Sequence, residues 1–421
     1  MRKMKDSGVE WIGEIPEDWE ITTYRRLLNR RKEYDDQDKQ VLSLTIQGVK
    51  VKNENYGKMA EDFTGHQIVK QGDLVFTPRD FDATPILSGI APCDGCISNL
   101  YFVLYPHNIS ETFIPFINYF MWGVKWGGDI WKRLSYGMRF SYNFQQFGAL
   151  PIAVPPIDTQ RRIADFLDDK CGKIDRYIEK QQKIIDKLKE YKQAVITEAV
   201  TKGLNPDVPM KDSGIEWIGM IPEHWEVPEI KYLVRIASGG TPDRNHPEYW
   251  NGNIPWIKTG ELQNDIITNA EEYITEEGLN NSSAQVFNIN TILVAMYGQG
   301  KTRGMTALLK TPASTNQACA GMTVTNSNVQ IEYLWQCLIG AYDAIRSEAA
   351  GSGQPNLSAT LIGNFHIALP PIEEQGLIVE YIKDRTVEIK STIHKAEKLL
   401  EKLTEYKKSL IYEAVTGKLE M

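Results

Sequence analysis

Apolar side chains recur at alternating steps of four and three residues along two long stretches of the chain. The first stretch has its predicted seam at Ile163, Leu167, Lys170, Ile174, Tyr177, Gln181, Ile184, Leu188, Tyr191 and Val195. The second has it at Ile378, Ile382, Arg385, Ile389, Thr392, Ala396, Leu399, Leu403, Tyr406 and Leu410. This heptad spacing predicts two helices of about 40 residues, each near 60 Å long. Since one chain supplies both helices, we expect them to pair antiparallel, with the polar Lys170 and Arg385 setting the register. Two separate helices bound to other partners are the alternative.

Two other regions have shorter apolar runs separated by turn residues. Strands are predicted at 41–46, 73–78 and 99–105, followed by a helical patch at 116–126 and a loop at 135–144. The same order recurs with different residues as a strand at 291–296, a helix at 331–345 and a loop at 351–358. This mixture predicts α+β domains. Their aromatic residues are interpreted as core because such rings bury much surface.

The chain contains an internal duplication. Residues 4–20, MKDSGVEWIGEIPEDWE, return at 210–226 as MKDSGIEWIGMIPEHWE, with changes only at Val9/Ile215, Glu14/Met220 and Asp18/His224. Residues 155–175 return 215 positions later at 370–390. The predicted segments are framework 1–20, insert 21–150, helix and junction 151–209, framework 210–226, insert 227–365 and helix 366–421. A repeated frame with two different inserts indicates one task carried out on two different targets.

Composition argues against a disulfide-rich secreted protein and against a membrane-spanning protein. The chain has 421 residues, a net charge of −8 and five cysteines, an odd number without the spacing of a disulfide framework. The sequence has no run of eighteen apolar residues and no apolar leader, so we expect a cytoplasmic protein. The acidic charge argues against broad phosphate binding, although it allows bases to be read locally while a partner contacts the phosphates.

Motifs for catalysis or for metal and nucleotide binding are not recognised. AMYGQGKT at 295–302 has Ala295 where a phosphate-binding loop requires glycine, and Arg303-Gly304 follow where that loop continues into a helix. The C-x-x-C of Cys93 and Cys96 lacks a second pair of ligands for zinc. We therefore expect no catalytic residues, no metal and no cofactor bound by this chain.

The duplicated segments resemble the specificity subunit of type I restriction–modification systems. The resemblance rests on residues 4–20 and 210–226, on PPIDTQRRIADFLD and PPIEEQGLIVEYI, on the junction at 199–219, and on TPDRNHPEYWNGNIPWIKTGEL at 241–262. It implies two globular α/β target-recognition domains joined by two long helices in an antiparallel coiled coil with a pseudo-two-fold repeat. It further implies that each domain reads one half of a bipartite site in double-stranded DNA.

The same resemblance implies partners that carry out the chemistry. Two modification subunits would dock on the frame and bring S-adenosylmethionine, and restriction subunits, where present, would bring ATP and Mg²⁺. One departure concerns docking, because Gly376-Leu377 stand where the first copy has Arg161-Arg162.

Candidate DNA contacts lie in matching loops of the two inserts, where base-reading residue types occur. Those of the first insert are Arg79, Asp80, Ser98, Asn99, Tyr136, Arg139, Tyr142 and Asn143. Those of the second are Lys258, Thr259, Tyr297, Gln299, Lys301, Arg303, Asn316, Gln317, Ser352, Gln354 and Asn356. Each loop is also compatible with an ordinary solvated turn. Two other hypotheses remain open: an acidic adaptor scaffold that binds two protein partners without DNA, and an enzyme whose site is unrecognised.

Overall fold

The structure, a computed structural model, describes residues 3–34, 40–52, 65–80, 85–128, 130–135, 140–298, 300–351 and 356–420. The chain forms two compact units. Unit 1 comprises residues 1–182 and 397–421, and unit 2 comprises residues 183–396. Each unit therefore contains one insert, one copy of the short framework segment and half of each long helix.

Unit 1 is built around an antiparallel four-stranded sheet. Its elements along the chain are β1 Met4–Asp6, β2 Glu14–Pro16, β3 Glu20–Thr23, α1 Tyr24–Leu27, β4 Leu28–Arg31, β5 Leu42–Thr45, β6 Gly48–Val51, β7 Gln67–Val69, β8 Leu74–Phe76, β9 Ser88–Ile90, β10 Gly95–Ile97, β11 Phe102–Pro106, α2 Ile114–Trp126, α3 Ile130–Arg133, α4 Phe144–Ala149, β12 Pro151–Val154 and the first half of α5 Ile157–Lys202. The main sheet has the order β4-β11-β8-β9, and β1-β2, β3-β12, β5-β6 and β7-β10 form two-stranded pairs.

Unit 2 is built around a five-stranded sheet. Its elements are β13 Met210–Asp212, β14 Met220–Pro222, β15 Val234–Ser238, β16 Trp250–Ile257, β17 Asp265–Ile267, β18 Glu272–Ile274, α6 Glu276–Asn280, β19 Ile292–Ala295, β20 Thr306–Leu309, β21 Ser314–Thr315, β22 Cys319–Val324, α7 Ile331–Gly340, α8 Tyr342–Gly351, α9 Ala359–Asn364 and the first half of α10 Ile372–Val415. The main sheet has the order β15-β22-β19-β20-β17, and a smaller sheet has the order β18-β16-β21.

The two main sheets share a strand order although the inserts share little sequence. The order β4-β11-β8-β9 of unit 1 corresponds in chain position to β15-β22-β19-β20 of unit 2, and unit 2 adds β17 parallel to β20. The helix expected over 331–345 is two helices, because α7 ends at Gly340 and α8 begins at Tyr342. The mixed α/β character expected from the sequence is confirmed.

The long helices have the expected period with a different phase. The buried or half-buried stripe of α5 runs through Ile163, Leu167, Cys171, Ile174, Ile178, Gln181, Ile185, Leu188 and Lys192, and that of α10 through Ile378, Ile382, Thr386, Ile389, Ile393, Ala396, Leu400, Leu403, Lys407 and Leu410. From Lys170 in α5 and Arg385 in α10 onward, every second predicted seam position was wrong. At each of these positions the buried or half-buried residue is the next one in the sequence. Tyr177, Ile184, Tyr191, Leu399 and Tyr406 are exposed, as are Lys170 and Arg385, which therefore do not interrupt a buried seam.

The ends of the long helices belong to the cores of the units. In unit 1, Ile163 and Leu167 near the start of α5 share a core with Ile411 and Val415 at the end of α10. In unit 2, Ile378 and Ile382 near the start of α10 share a core with Ile196, Ala199 and Val200 at the end of α5. One long helix therefore begins where the other ends in each unit.

The framework segments contact these helix ends through glycine. Gly417 has a φ of +73°, and a Cβ there would come within 2.4 Å of Pro16 and 3.3 Å of Trp19. Gly203 has a φ of +74°, and a Cβ there would lie 3.0 Å from Trp225. A left-handed glycine therefore ends each long helix against the buried tryptophan of a framework copy.

None of the described helices is long and apolar enough to cross a membrane. Cys93 and Cys96 are not in disulfides, and within the described ranges no group of three or more His, Cys, Asp or Glu side chains could hold a metal ion.

Candidate nucleic-acid interface

Three loops of unit 1 converge on one cleft. The loop after β8 supplies Arg79, the loop after β10 supplies Asn99, and the segment before α4 supplies Tyr142 and Asn143. The backbone N–H of Tyr142 donates to the Pro78 carbonyl at 2.8 Å and joins the first of these loops to the third. The cleft has a volume of about 460 Å³ and is also lined by Arg30, Pro78, Leu100, Phe102, Ser141 and Gln146. The structure thus brings together four of the residues predicted from the sequence.

Two of these four have structural roles. Tyr142 is only 5% exposed, and its hydroxyl donates to the Trp131 carbonyl at 2.9 Å, so it belongs mainly to the core. Asn143 is the N-cap of α4, where its side chain accepts from the Gln146 N–H at 2.8 Å. Because its side-chain oxygen is occupied in this way, Asn143 retains mainly its amide donors for a ligand.

The remaining predictions for unit 1 are less well placed. Asp80 has a φ of +59° and follows the bend at Arg79 without lining the cleft. Ser98 accepts from the Leu100 N–H at 3.3 Å, a contact that shapes the loop. Tyr136 and Arg139 lie outside the described residues.

Arg30 lines the same cleft and was missed in the sequence. It lies on β4, and its guanidinium carbon is 4.5 Å from the ring centre of Phe102 and 5.8 Å from that of Phe144. The neighbouring Arg31 instead forms two hydrogen bonds with Asp73, at 2.8 and 3.2 Å. The sequence signal was only the pair of adjacent arginines, which does not reveal which of the two is engaged.

In unit 2, the predicted polar residues fall into two groups. Thr259 and Asn316 are hydrogen-bonded to each other at 3.0–3.2 Å, and the Asn316 side chain also accepts from the Ala318 N–H at 3.1 Å. Gln317 is bonded to Thr241. Lys258 contacts Glu271 at 2.7 Å and Glu272 at 3.2 Å, and these hydrogen bonds raise its pKa. These contacts hold the loops in shape and reduce the number of donors available to DNA.

The second group is the glycine-rich loop after β19. Tyr342 of α8 donates to the Lys301 carbonyl at 2.6 Å, and Arg346 donates to the carbonyls of Gly300 and Arg303 at 2.8 and 2.7 Å. Tyr297 is 42% exposed and Lys301 is exposed. These bonds from α8 hold the backbone of the loop at Gly300, Lys301 and Arg303. Arg346 was also missed in the sequence.

The segments before α4 and α9 correspond through their N-caps. Ser358 is the N-cap of α9 and accepts from the Leu361 N–H at 3.1 Å, which is the role of Asn143 in α4, 215 residues earlier. Asn143 therefore corresponds to Ser358 and not to Asn356, which is exposed. Gln299, Ser352 and Gln354 lie outside the described residues.

Comparison with known proteins gives the chain a family context. Residues 222–402 match the family model of the type I restriction modification DNA specificity domain. The chain is 31% identical over 195 residues to the MjaIX specificity subunit of Methanocaldococcus jannaschii, covering 44% of this chain and 43% of that protein. It is 30% identical over 183 residues to the EcoR124I/EcoR124II specificity subunit of Escherichia coli, covering 41% and 45%. The chain thus matches less than half the length of these two relatives.

Two further likenesses extend over nearly the whole chain. A protein of M. jannaschii assigned as the MjaX specificity subunit is 25% identical over 97% of this chain and 96% of its own length. The other likeness is to a solved chain from work on complex assembly and conformational transition of the type I R-M system. The TM-score is 0.69 at 14% identity, and the match covers 96% of this chain and 99% of that chain. The last likeness shows a shared fold. Together the matches confirm the resemblance seen in the sequence.

Proposed function

We propose, on the premise that this chain is a homologue of the type I restriction–modification specificity subunits, that it is the DNA-recognition subunit of such a complex. Each unit reads one half of a bipartite site in double-stranded DNA. The observation that carries the proposal is the cleft of unit 1, in which loops of the first insert bring Arg79 and Asn99 beside Arg30 of β4. Side chains of these types supply the donors and acceptors that distinguish base edges.

The duplicated frame supports a bipartite site. The two main sheets share a strand order, and the framework segments contact the helix ends in the same way, whereas the loops over the sheets differ in sequence. A repeated frame suits two copies of one partner, and different inserts suit two different half-sites. On this proposal the long helices set the spacer between the half-sites, and two modification subunits dock on the frame.

The chemistry belongs to the partners in this proposal. The modification subunits bind S-adenosylmethionine and transfer the methyl group, restriction subunits where present use ATP and Mg²⁺, and this chain carries no catalytic residue. Methyl transfer to DNA by the purified chain without partners would contradict this assignment. The acidic net charge of −8 suits such a division, since the partners can supply most of the phosphate contacts.

The test is an exchange of one insert in the complete complex. The chain is co-expressed with its modification subunit, and methylated positions are mapped across the host genome. Residues 21–150 are then replaced by the equivalent insert of another specificity subunit. We expect one half of the recognised sequence to change and the other half and the spacer to remain. A change in both halves would reject the assignment of one insert to one half-site, and a complex that binds protein partners but no DNA would favour the adaptor scaffold.

A further inference from the structure

Arg30 is held in an unusual environment for a cation at the surface of a cleft. It lies on β4 opposite Leu104 of β11, between the ring of Phe102 on that strand and the ring of Phe144 on α4. Rings at 4.5 and 5.8 Å attract a guanidinium and restrict the orientation of its plane. The side chain is therefore positioned before any ligand arrives.

The guanidinium of Arg30 lacks the partners that its neighbour has. Arg31 is bonded to Asp73 and Glu33, whereas the Nε of Arg30 is buried without a hydrogen-bond acceptor among the described residues. A buried donor left without an acceptor destabilises a protein. Burial lowers the pKa of Arg30, but an arginine remains charged at physiological pH. The fold thus keeps a desolvated, oriented cation that a ligand with acceptors would satisfy.

Comparison of the two repeats shows that the strand carrying Arg30 does not need an arginine at this position. The framework copies are 206 residues apart, which places Ile236 of β15 at the position equivalent to Arg30 of β4. The flanking residues keep their character, since Leu27 and Leu28 correspond to Leu233 and Val234, and all four are buried. The strand tolerates an apolar residue at this position, so the arginine is a feature of the first insert alone.

We infer that Arg30 is a specificity-determining residue of unit 1 and that it donates to the O6 and N7 acceptors of a guanine in the half-site read by this unit. The inference rests on the proposed function. The planar guanidinium, held by the two rings, presents a pair of donors in fixed orientation that suits bidentate contact with guanine. A phosphate contact carries no sequence information, and lysine retains the charge on which it mainly depends. Arg79 and Asn99 line the same cleft and lie beside the inferred contact.

The experiment compares three variants in the complete complex with the modification subunit, with methylated sites mapped for each. Arg30→Lys keeps the charge and loses the planar donor pair, and Arg30→Met keeps an unbranched side chain against Phe102. Arg26→Met removes an exposed arginine of α1 and is the matched control. Thermal unfolding of each variant checks that unit 1 remains folded.

We expect the wild-type site to contain a guanine at one position where both Arg30 variants accept other bases. The discrimination at that position should fall by about 5- to 150-fold, the range of one bidentate base contact. The other positions and the Arg26→Met pattern should not change. An unchanged site in both variants, or a uniform loss that Arg30→Lys restores, would overturn the inference and leave the proposed function intact. A wild-type complex with no defined methylated site would reject the proposed function and the inference with it.

Discussion

Lys407 of α10 donates to both carboxylate oxygens of Asp175 of α5, at 2.6 and 2.7 Å, and joins the two helices within unit 1. The equivalent positions in the other copies, 215 residues away, are Lys192 and Lys390. In unit 2 burial lowers the pKa of Lys192, and the charge of Lys390 lowers it further. Lys390 itself contacts Asp265 of β17 at 3.4 Å. The equivalent positions of the repeat thus hold the oppositely charged pair Asp175 and Lys407 in unit 1 and the like-charged pair Lys192 and Lys390 in unit 2.

The first prediction concerns substitution of these two lysines. Lys192→Met should stabilise unit 2 at neutral pH because it removes a half-buried charge that faces another lysine. Lys407→Met should destabilise unit 1 because it leaves Asp175 without its partner. Hydrogen exchange measured by mass spectrometry separates the effects on the two units. If both variants were stabilised, or both destabilised, the predicted difference between the two lysines would be wrong.

The lowered pKa of Lys192 also predicts how the stability effect of Lys192→Met depends on pH. The folded pKa of Lys192 lies below its ordinary value of 10.5, so the unfolded state binds more protons in the interval between the two values. Wild-type stability therefore gains from this group as the pH rises through that interval. The advantage of Lys192→Met should be complete below the interval and should disappear above pH 10.5. Denaturant unfolding of both proteins at several pH values is the measurement.

The second prediction compares two adjacent isoleucines of α5. Ile185 is 1% exposed and Ile184 is 46% exposed. Ile185→Ala should lower the free energy of unfolding by about 2–4 kcal/mol through lost burial and the resulting cavity. Ile184→Ala should lower it by less than about 1 kcal/mol. Urea unfolding of both variants tests the phase of the helix, and the reverse order would favour the seam predicted from the sequence.

The third prediction concerns two buried glutamines that make the same three hydrogen bonds. Gln160 donates to the carbonyls of Pro155 and Glu111 at 3.0 and 2.8 Å and accepts from the Phe113 N–H at 2.9 Å. Gln375 donates to the carbonyls of Pro370 and Asn328 at 2.9 and 2.8 Å and accepts from the Gln330 N–H at 2.8 Å. Each glutamine therefore fixes the start of a long helix to the insert that precedes it.

Replacing either glutamine by leucine leaves buried backbone groups without partners. Each substitution should destabilise its own unit by about 1–3 kcal/mol. The exposed Gln71→Leu is a control with the same chemical change and no expected loss. Local hydrogen exchange is the measurement, and protection lost equally in both units by Gln160→Leu would contradict the prediction.

The fourth prediction concerns docking of the modification subunits. Leu377 is 59% exposed on α10, and the equivalent position on α5 is the exposed Arg162. Leu377→Glu should weaken binding of one modification subunit, because an apolar contact is replaced by a charge. Arg162→Glu should weaken binding of the other, and that loss should depend on salt concentration. Native mass spectrometry should find complexes with one modification subunit in each variant, and complete loss of both subunits from Leu377→Glu would reject two independent sites.

The fifth prediction tests the helices as a ruler for the DNA spacer. Duplicating Thr197–Val200 adds about 6 Å of helix, against about 3.4 Å per base pair. Both copies of the duplicated segment end in the same four residues. The second valine can therefore take the place of Val200, which packs against Gly340 and whose carbonyl accepts from the Tyr333 hydroxyl. Since only one helix is lengthened, we expect a spacer longer by one base pair. Mapping of methylated sites is the measurement, and an active variant with the original spacer would show that the helices do not set it.

The amino-acid sequence by itself determined the duplication, the two long helices and the mixed character of the inserts. These features depend on signals that span many residues. The heptad period emerges from ten seam positions in each of the two stretches, so no single residue decides it. The helices of 46 and 44 residues are slightly longer than the expected length because their first turns, from Ile157 and Ile372, precede the first seam residues.

Only the tertiary structure decided which neighbouring residue performs a role. Ile184 and Ile185 are equally apolar, as are Leu399 and Leu400, so either could occupy the seam until packing selected the later one of each pair. Arg30 and Arg31 are alike in sequence, but Asp73, 42 residues from Arg31, binds Arg31 and not Arg30. Asn143 and Ser358 share the N-cap role although their loops differ in length and composition. Each choice depends on contacts between residues distant in the chain, which local spacing does not encode.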